Sequence, residues 1–292
     1  IRRRVSVTIS PITWNLRSRS LTNADHTLVR GVMNATPDSF SDGGQWAEPR
    51  AAIRRGFKLW DDGADLVDVG GESTRPGAQP VSLEEELARV VPVVEALASH
   101  GIVVSIDTSK VEVAAAAIAA GAEIVNDVTG LADPAMIALC EETGVGVVIM
   151  HMQGDPRSMQ TKPTYDNVVA DVAGFLGNRT AVATESGIEA SRIVVDPGIG
   201  FGKTFEHNLA LLGGIRDLGN GQPVLIGTSR KGFLGTILER AGRPSETVDR
   251  DTATAATVAL AVASGAAVVR VHNAAYAVDA ARTADAIVRV HK

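Results

Sequence analysis

A (β/α)8 barrel is the fold class this sequence predicts, preceded by an N-terminal β-hairpin or extended arm. Three observations carry that expectation. From residue 28 onward, eight short β-branched runs alternate with helical patterns, and each run has the composition of a strand buried on both faces. All eight runs end in polar or charged residues, whereas an open doubly wound sheet would gather such residues at one switch point. Hydrophobic residues make up 45% of the 292 but aromatics only 4%, so the core must be built from Ala, Val, Ile and Leu, as when helices pack on parallel strands. One closed barrel of about 250 residues fits this length. The expected division is an arm over residues 1–27 that closes the barrel bottom, then the barrel over residues 28–292.

Residues 1–27 alternate weakly, with Val5, Val7 and Ile9 before Pro11 and Trp14 and Leu16 after it, which predicts the hairpin or arm; Trp14 reads as a packing residue. The strands then follow in order. Run 28–33 ends at Asn34, run 64–69 carries Asp68 and enters Gly70-Gly71, and run 102–106 ends at Asp107. Run 123–125 ends at Asn126-Asp127, run 145–150 at His151 and run 193–195 at Asp196. Run 223–227 leads into Thr228-Ser229-Arg230-Lys231, and run 267–271 carries Arg270 with His272 just beyond. Between strands, Leu83, Leu87, Val90, Val91, Val94 and Leu97 recur at helical spacing with Glu84, Glu85, Glu86 and Arg89 opposite. Segments 111–120 and 254–263 are alanine-rich and helical by propensity. Segment 166–186 reads as a longer helix interrupted at Gly174 and Gly177, and 243–250 as an exposed loop splitting two helices.

Net charge is −6, which argues against a nucleic-acid partner; the Arg2-Arg3-Arg4 cluster is too short to alter that. The lone cysteine, Cys140, permits no disulfide within the chain and suits a reducing, cytoplasmic location. No apolar run reaches the roughly 18 residues of a membrane span, and no signal-peptide pattern is seen, so no membrane association is expected. The chain opens on Ile1 rather than Met, which leaves open whether the native start is included.

In a barrel all eight strand ends face one mouth, so Asn34, Asp107, Asn126, Asp196, Lys231, Arg270 and His272 are expected to converge there. Asp107, Asn126 and Asp196 offer amide and carboxylate groups suited to the donor and acceptor edge of a polar heterocycle. Taken singly, each is equally a strand-end cap or half of an ion pair; their shared position favours a site. Ser229-Arg230-Lys231 after strand seven and Arg270 with His272 on strand eight put cations where barrels often hold phosphate. Residues 270 and 272 are two apart, so both point to the same side of their strand. His151 reads as a residue behind the site rather than a ligand, since no His/Cys zinc spacing accompanies it. Gly198, Gly200 and Gly202 form no dinucleotide fingerprint, because the ribose-binding acid is missing at the expected distance. Two long loops, 34–44 and 70–77, mix Gly and Pro with hydroxyl and charged residues, as a mobile lid would.

Those two loops, together with Ser105-Ile106-Asp107-Thr108, Val125-Asn126-Asp127, the stretch 196–203, Thr228-Ser229-Arg230-Lys231 and Arg270-Val271-His272, closely resemble the dihydropteroate synthase family. The seven motifs run in order from about Trp14 to the end of the chain. The resemblance implies condensation of 6-hydroxymethyl-7,8-dihydropterin pyrophosphate with p-aminobenzoate, giving 7,8-dihydropteroate and pyrophosphate in folate biosynthesis, with Mg2+ assisting. It implies that Asp107, Asn126, Asp196 and Lys231 hold the pterin, that Asn34 ligates Mg2+, and that Thr74 touches the pterin pyrophosphate. It further implies that Arg270 and His272 bind the leaving group, and that Pro37, Phe40, Arg75 and Ser229 shape the p-aminobenzoate site where sulfonamides compete. A homodimer is the family's habit. Three positions depart from the family pattern: Asn273 stands where Asp is common, Ala35 where Val is usual and Gly232 where Ser is common. Of these, Asn273 bears on whatever orients His272. The rival readings are a pterin-binding methyltransferase domain and a catalytically silent pterin-binding paralogue. The combined Thr-Ser-Arg-Lys loop and Arg-Val-His pair argue against both.

Overall fold

Side chains two apart on a strand share a face, and this chain uses that period to stack its barrel interior in layers. The computed structural model describes residues 11–35, 48–73, 79–154 and 158–290. Val5, Val7, Ile9, Pro37, Phe40, Thr74 and Arg75 lie outside the described residues.

A two-stranded antiparallel hairpin comes first, β1 (Thr13–Asn15) with β2 (Ser20–Thr22). Eight parallel strands follow: β3 (Leu28–Asn34), β4 (Leu66–Gly70), β5 (Val104–Asp107), β6 (Ile124–Asp127), β7 (Gly146–Met150), β8 (Ile193–Asp196), β9 (Leu225–Ile226) and β10 (Val268–Val271). The sheet runs β8-β7-β6-β5-β4-β3-β10-β9. A parallel bridge between Val195 and Val224, with the Val195 N–H donating to Pro223 O at 2.9 Å, brings β9 back against β8. The eight strands and flanking helices therefore make a (β/α)8 barrel.

The lowest interior layer is apolar. Leu28, Leu66, Val103, Ile124, Val148, Val194, Leu225 and Val268 form it, one from each strand or the residue leading into it, and Trp14 and Leu16 of the hairpin region join the same cluster. Trp14 is fully buried, and its indole N–H donates to Arg192 O at 2.9 Å, so packing and a hydrogen bond both fix it. Two residues further along each strand, the inward register reads Arg30, Asp68, Ser105, Asn126, Met150, Asp196, Gly227 and Arg270. Chemistry thus begins one layer above the apolar floor. The alternate residues face outward. Val29, Val67, Val104, Val125, Val147, Val195 and Val269 form a second cluster with the helices, each burial contributing about 1.5–3 kcal/mol.

Helices α1 (Glu48–Asp61), α3 (Val111–Ala119), α4 (Pro134–Thr143) and α7 (Ile215–Leu218) are among those that flank the strands, and side chains cap several of the set. In α2 (Leu83–Ser99) the Ser82 Oγ accepts from Glu85 N at 3.2 Å, and in α6 (Phe205–Gly213) Thr204 and His207 cap each other reciprocally. Helix α5 (Val168–Glu185) corrects one expectation: it runs unbroken through Gly174 and Gly177. Val168, Val172, Leu176 and Ala183 bury one face, Asn167 caps its start, and that packing outweighs about 1 kcal/mol lost at each glycine. Gly177 also makes room for Asn220, whose amide donates to Ala173 O at 2.6 Å. Between α8 (Gly232–Arg240) and α9 (Asp251–Ala263) the connection ends in a single 3-10 turn, Thr247–Arg250. Helix α10 (Ala274–Arg289) closes the ring against α9. Among the described residues, no helix is long and apolar enough to cross a membrane.

Candidate active site

A cavity of about 670 Å³ opens at the C-terminal ends of the barrel strands, and Asn34, Asp107, Ser229, Lys231, Arg270 and His272 are on its wall. Strand register brings these residues together. Asn34 pairs with Gly70, Gly70 with Asp107 and Asp107 with Asn126, so one row crosses four strands at the mouth. Gly70 leaves that row open: a Cβ there would meet the Asp107 side chain and Asn34 Oδ1 at 3.5 and 3.7 Å. Asn126 and Asp196 are buried behind the wall rather than on it. Asn126 donates from Nδ2 to Asp107 Oδ1 at 2.9 Å, and Asp196 Oδ1 accepts from Gly198 N at 2.7 Å.

The floor of the cavity is a chain of alternating charges. Arg270 donates to Asp68 Oδ2 from Nε at 2.7 Å and to Asp107 Oδ2 from Nη2 at 2.5 Å. Asp68 turns its other oxygen to Arg30, which also donates to Ser105 Oγ at 2.8 Å. Burial alone would raise Asp68, but the two arginines overcome it and hold that carboxyl below its usual range. At Asp107 burial wins, and although Arg270 opposes it, the carboxyl is pushed up to about 6. Burial would pull Arg270 down, yet Asp68 and Asp107 hold it above its ordinary value, so it is a permanent cation.

After β8 the chain turns through Pro197 into the glycine run. Gly198 has φ +64°, and a Cβ there would overlap the carbonyl oxygen of His151, so only glycine lets this loop close on β7. Lys231 donates from Nζ to Ile199 O and sits over the Phe201 ring, 4.6 Å from its centre. Lys203 Nζ lies 3.0 Å from His151 Nδ1 and donates to Phe201 O at 2.9 Å. Burial lowers Lys231 to about 8 against the pull of Asp196, and lowers Lys203 to about 7, with Lys231 adding to it. Burial and the Lys203 charge take His151 down to about 3, so it is a neutral imidazole. Burial raises Asp196, with Lys231 and the Gly198 N–H opposing.

In the loop that also carries Lys231, Ser229 Oγ accepts from the His272 backbone N–H and meets His272 Nδ1, both at 3.0 Å. Arg230, at the edge of the cavity, forms a two-pronged pair with Asp251, at 2.7 and 2.8 Å. Asn273 also points there, its Nδ2 donating to Asp251 Oδ2 at 2.9 Å. The Ser229 hydroxyl thus meets the His272 ring, while the Asn273 amide turns to Asp251.

Of the residues expected at the site, Asn34, Asp107, Ser229, Lys231, Arg270 and His272 meet at the cavity, with Asn126 and Asp196 directly behind. Pro37, Phe40, Thr74 and Arg75 fall outside the described residues. Arg30, Asp68 and Lys203 adjoin these residues, and sequence alone assigns them no role. The inward period of two, counted back from Arg270 and Asn34, is the signal that finds Arg30. No group of three His, Cys, Asp or Glu side chains suited to a metal occurs among the described residues. A cation held here would rely on a hard oxygen such as the Asn34 amide, completed by oxygens of a bound anion and water, which is how Mg2+ is commonly held.

Three comparisons bear on this geometry. Residues 30–272 match the family of pterin binding enzymes. The folate synthesis bifunctional protein, mitochondrial, of Pisum sativum is 46% identical over 280 residues, which cover 90% of this chain and 54% of that protein. The chain thus spans about half the length of that relative. The dihydropteroate synthase of Mycobacterium leprae is 47% identical over 265 residues, covering 88% of this chain and 92% of that protein. The crystal structure of Burkholderia cenocepacia dihydropteroate synthase complexed with 7,8-dihydropteroate superposes with a TM-score of 0.86 at 41% identity, covering 97% of this chain and 99% of the other.

Proposed function

Because the chain belongs to the dihydropteroate synthase family, we propose that it joins 6-hydroxymethyl-7,8-dihydropterin pyrophosphate to p-aminobenzoate, giving 7,8-dihydropteroate and pyrophosphate. The observation that carries this reading is one cavity with Asp107, Lys231, Arg270 and His272 on its wall and Asn126 and Asp196 directly behind it. Asp107, Asn126 and Asp196 accept from and donate to the pterin edge, and Lys231 donates to its carbonyl oxygen. Arg270 and His272 bind the pyrophosphate, with Thr74 as a further contact. Pro37, Phe40, Arg75 and Ser229 shape the aryl site.

The reaction breaks the methylene C–O bond, and the electron pair leaves on pyrophosphate. The methylene carbon becomes positive and shares that charge with the pterin ring. The carboxylates of Asp107 and Asp196, fixed beforehand and shielded from water, stabilise that charge as it grows. The lone pair of the aryl amine forms the C–N bond, and the amine releases one proton to solvent. Arg270 and His272 hold the departing anion, each charge-assisted contact contributing roughly 1.5–3 kcal/mol. Asn34 is the residue that would hold Mg2+; when bound, the ion supplies charge neutralisation for the leaving group.

A homodimer and a cytoplasmic setting belong to the same proposal. The exposed Leu260 and Tyr276 of α9 and α10 support an interface, and the single buried Cys140 supports a reducing compartment. The test is chromatography of the protein incubated with both substrates, with and without Mg2+. Dihydropteroate that requires both substrates and falls on chelation is expected. Folded protein that makes none under either condition overturns the reading.

A further inference from the structure

Arg30 is a charged residue to which the proposed chemistry gives no task. It stands on β3 in register beside Arg270 of β10, and it is fully buried. Its neighbours on the same face of β3 are apolar, Leu28 below and Val32 above, so packing alone does not call for a guanidinium here. Arg30 donates to Asp68 and to Ser105 Oγ. Asp68, fully buried as well, holds Arg270 with its second oxygen, and Arg270 holds Asp107 on the cavity wall.

We propose that Arg30 is a positioning residue for the reaction. From the layer above the apolar floor it fixes Asp68, through Asp68 it fixes the Arg270 guanidinium, and its charge balances the carboxylates that meet the pterin. The inference rests on the proposed pterin reaction for its meaning, though not for its geometry. The charged groups that face one another across the barrel interior are Arg30, Lys203, Lys231 and Arg270 against Asp68, Asp107 and Asp196. Removing Arg30 takes away one of the cations that oppose protonation of Asp107 and Asp196. Burial raises both Asp107 and Asp196; Arg270 and Arg30 oppose it at the first, and Lys231, Arg270 and Arg30 at the second. Without Arg30 both carboxyls therefore hold their protons more tightly.

The experiment follows the Asp107 and Asp196 carboxyls by NMR in ligand-free, 13C-aspartate-labelled protein, and records kcat/KM against pH. In Arg30→Met both titration midpoints are expected to rise to a pH about one higher, a tenfold change in proton affinity. The acid limb of kcat/KM should follow, with activity largely regained at alkaline pH. Arg30→Lys keeps the charge and should leave the titrations near wild type. Arg30→Met/Asp68→Asn removes both charges together and should bring them back towards wild type. Titrations unmoved in Arg30→Met, with activity lost equally at every pH, would make the residue merely structural and overturn the proposal. So would a lysine variant whose midpoints rise as far as those of the methionine variant. Should Arg30→Met not fold, Arg30→Lys and the double variant decide the matter, and a tenfold rise in proton affinity in either overturns it. Wild-type protein that forms no dihydropteroate, in a series whose carboxyls titrate as expected, counts against the reading of the reaction and not against Arg30.

Discussion

Asp107 sets the pH behaviour of the site. Its carboxyl is raised to about 6, above an unfolded value near 3.9. A group raised in this way binds its proton more tightly in the fold. Its contribution to stability is therefore present below about pH 4 and is lost as pH rises through 6. Turnover needs the carboxylate, so activity should rise across the window in which this contribution fades. We expect an acid limb in kcat/KM centred near pH 6, and Asp107→Asn should abolish the limb along with most of the activity. A limb that persists in that variant would assign it to another group. Arg270 follows a related logic. Because it pairs with Asp68 and Asp107, Arg270→Ala removes an anion contact and also a brake on Asp107 protonation. Pyrophosphate binding should fall by roughly 1.5–3 kcal/mol at every pH. Binding of the pterin alcohol should fall near pH 6 and recover above pH 8. Equal loss of both ligands at pH 8 in calorimetry would sink the division of roles. This coupling could not be read from sequence. Arg270 and His272 were visible as two residues on one strand face, whereas the pairing of Arg270 depends on contacts between strands distant in the chain.

Single elements show where local pattern suffices and where packing overrides it. The eight strands were legible because each is a short β-branched run ending in a polar group. The inward layer was legible in part, since Asn34, Asp107 and Asp196 stand at strand ends, while Arg30 and Asp68 lie deeper and read as ordinary strand residues. Helix α5 runs through two glycines that read as interruptions, because glycine propensity is local and the buried face of the helix is not. Two glycines turn that contrast into a prediction. Gly174 lies mid-helix with open space around a would-be Cβ, so Gly174→Ala should stabilise the protein by about 0.5–1 kcal/mol without touching activity. Gly198 has φ +64° and faces the His151 carbonyl. Gly198→Ala should therefore displace the loop that carries Ile199 and Phe201, release Lys231 from both, and reduce pterin binding at least tenfold, about 1.4 kcal/mol. Thermal melts and pterin titrations of the two variants check this. A Gly198→Ala protein that binds pterin normally would show that the loop does not position the lysine.

Over the whole molecule, charge is segregated. The chain carries a net charge of −6, yet among the described residues the cavity wall contains Lys203, Arg230, Lys231, Arg250, Arg270 and His272 against Asp107 as the one carboxylate. An anion approaching the protein thus meets a negative body with one positive mouth, and low-dielectric walls focus that field. The sequence announced the cations of strands seven and eight. Lys203 and Arg250 join them only through the fold, which brings the glycine run and the 3-10 turn to the same opening. Screening separates this field from contact recognition. The Debye length shortens from about 30 Å at 0.01 M salt to about 3 Å at 1 M. Pyrophosphate, drawn by the field and held by Arg270 and His272, should bind several-fold more weakly as salt rises through that range. The uncharged pterin alcohol, held by short buried hydrogen bonds, should change by less than about twofold, because contacts shielded from solvent are poorly screened. Parallel calorimetric titrations of the two ligands at low and high salt measure the difference. Identical salt dependence for both would mean that the mouth recognises its anion through local contacts alone, and that the segregation of charge around it has no part in binding.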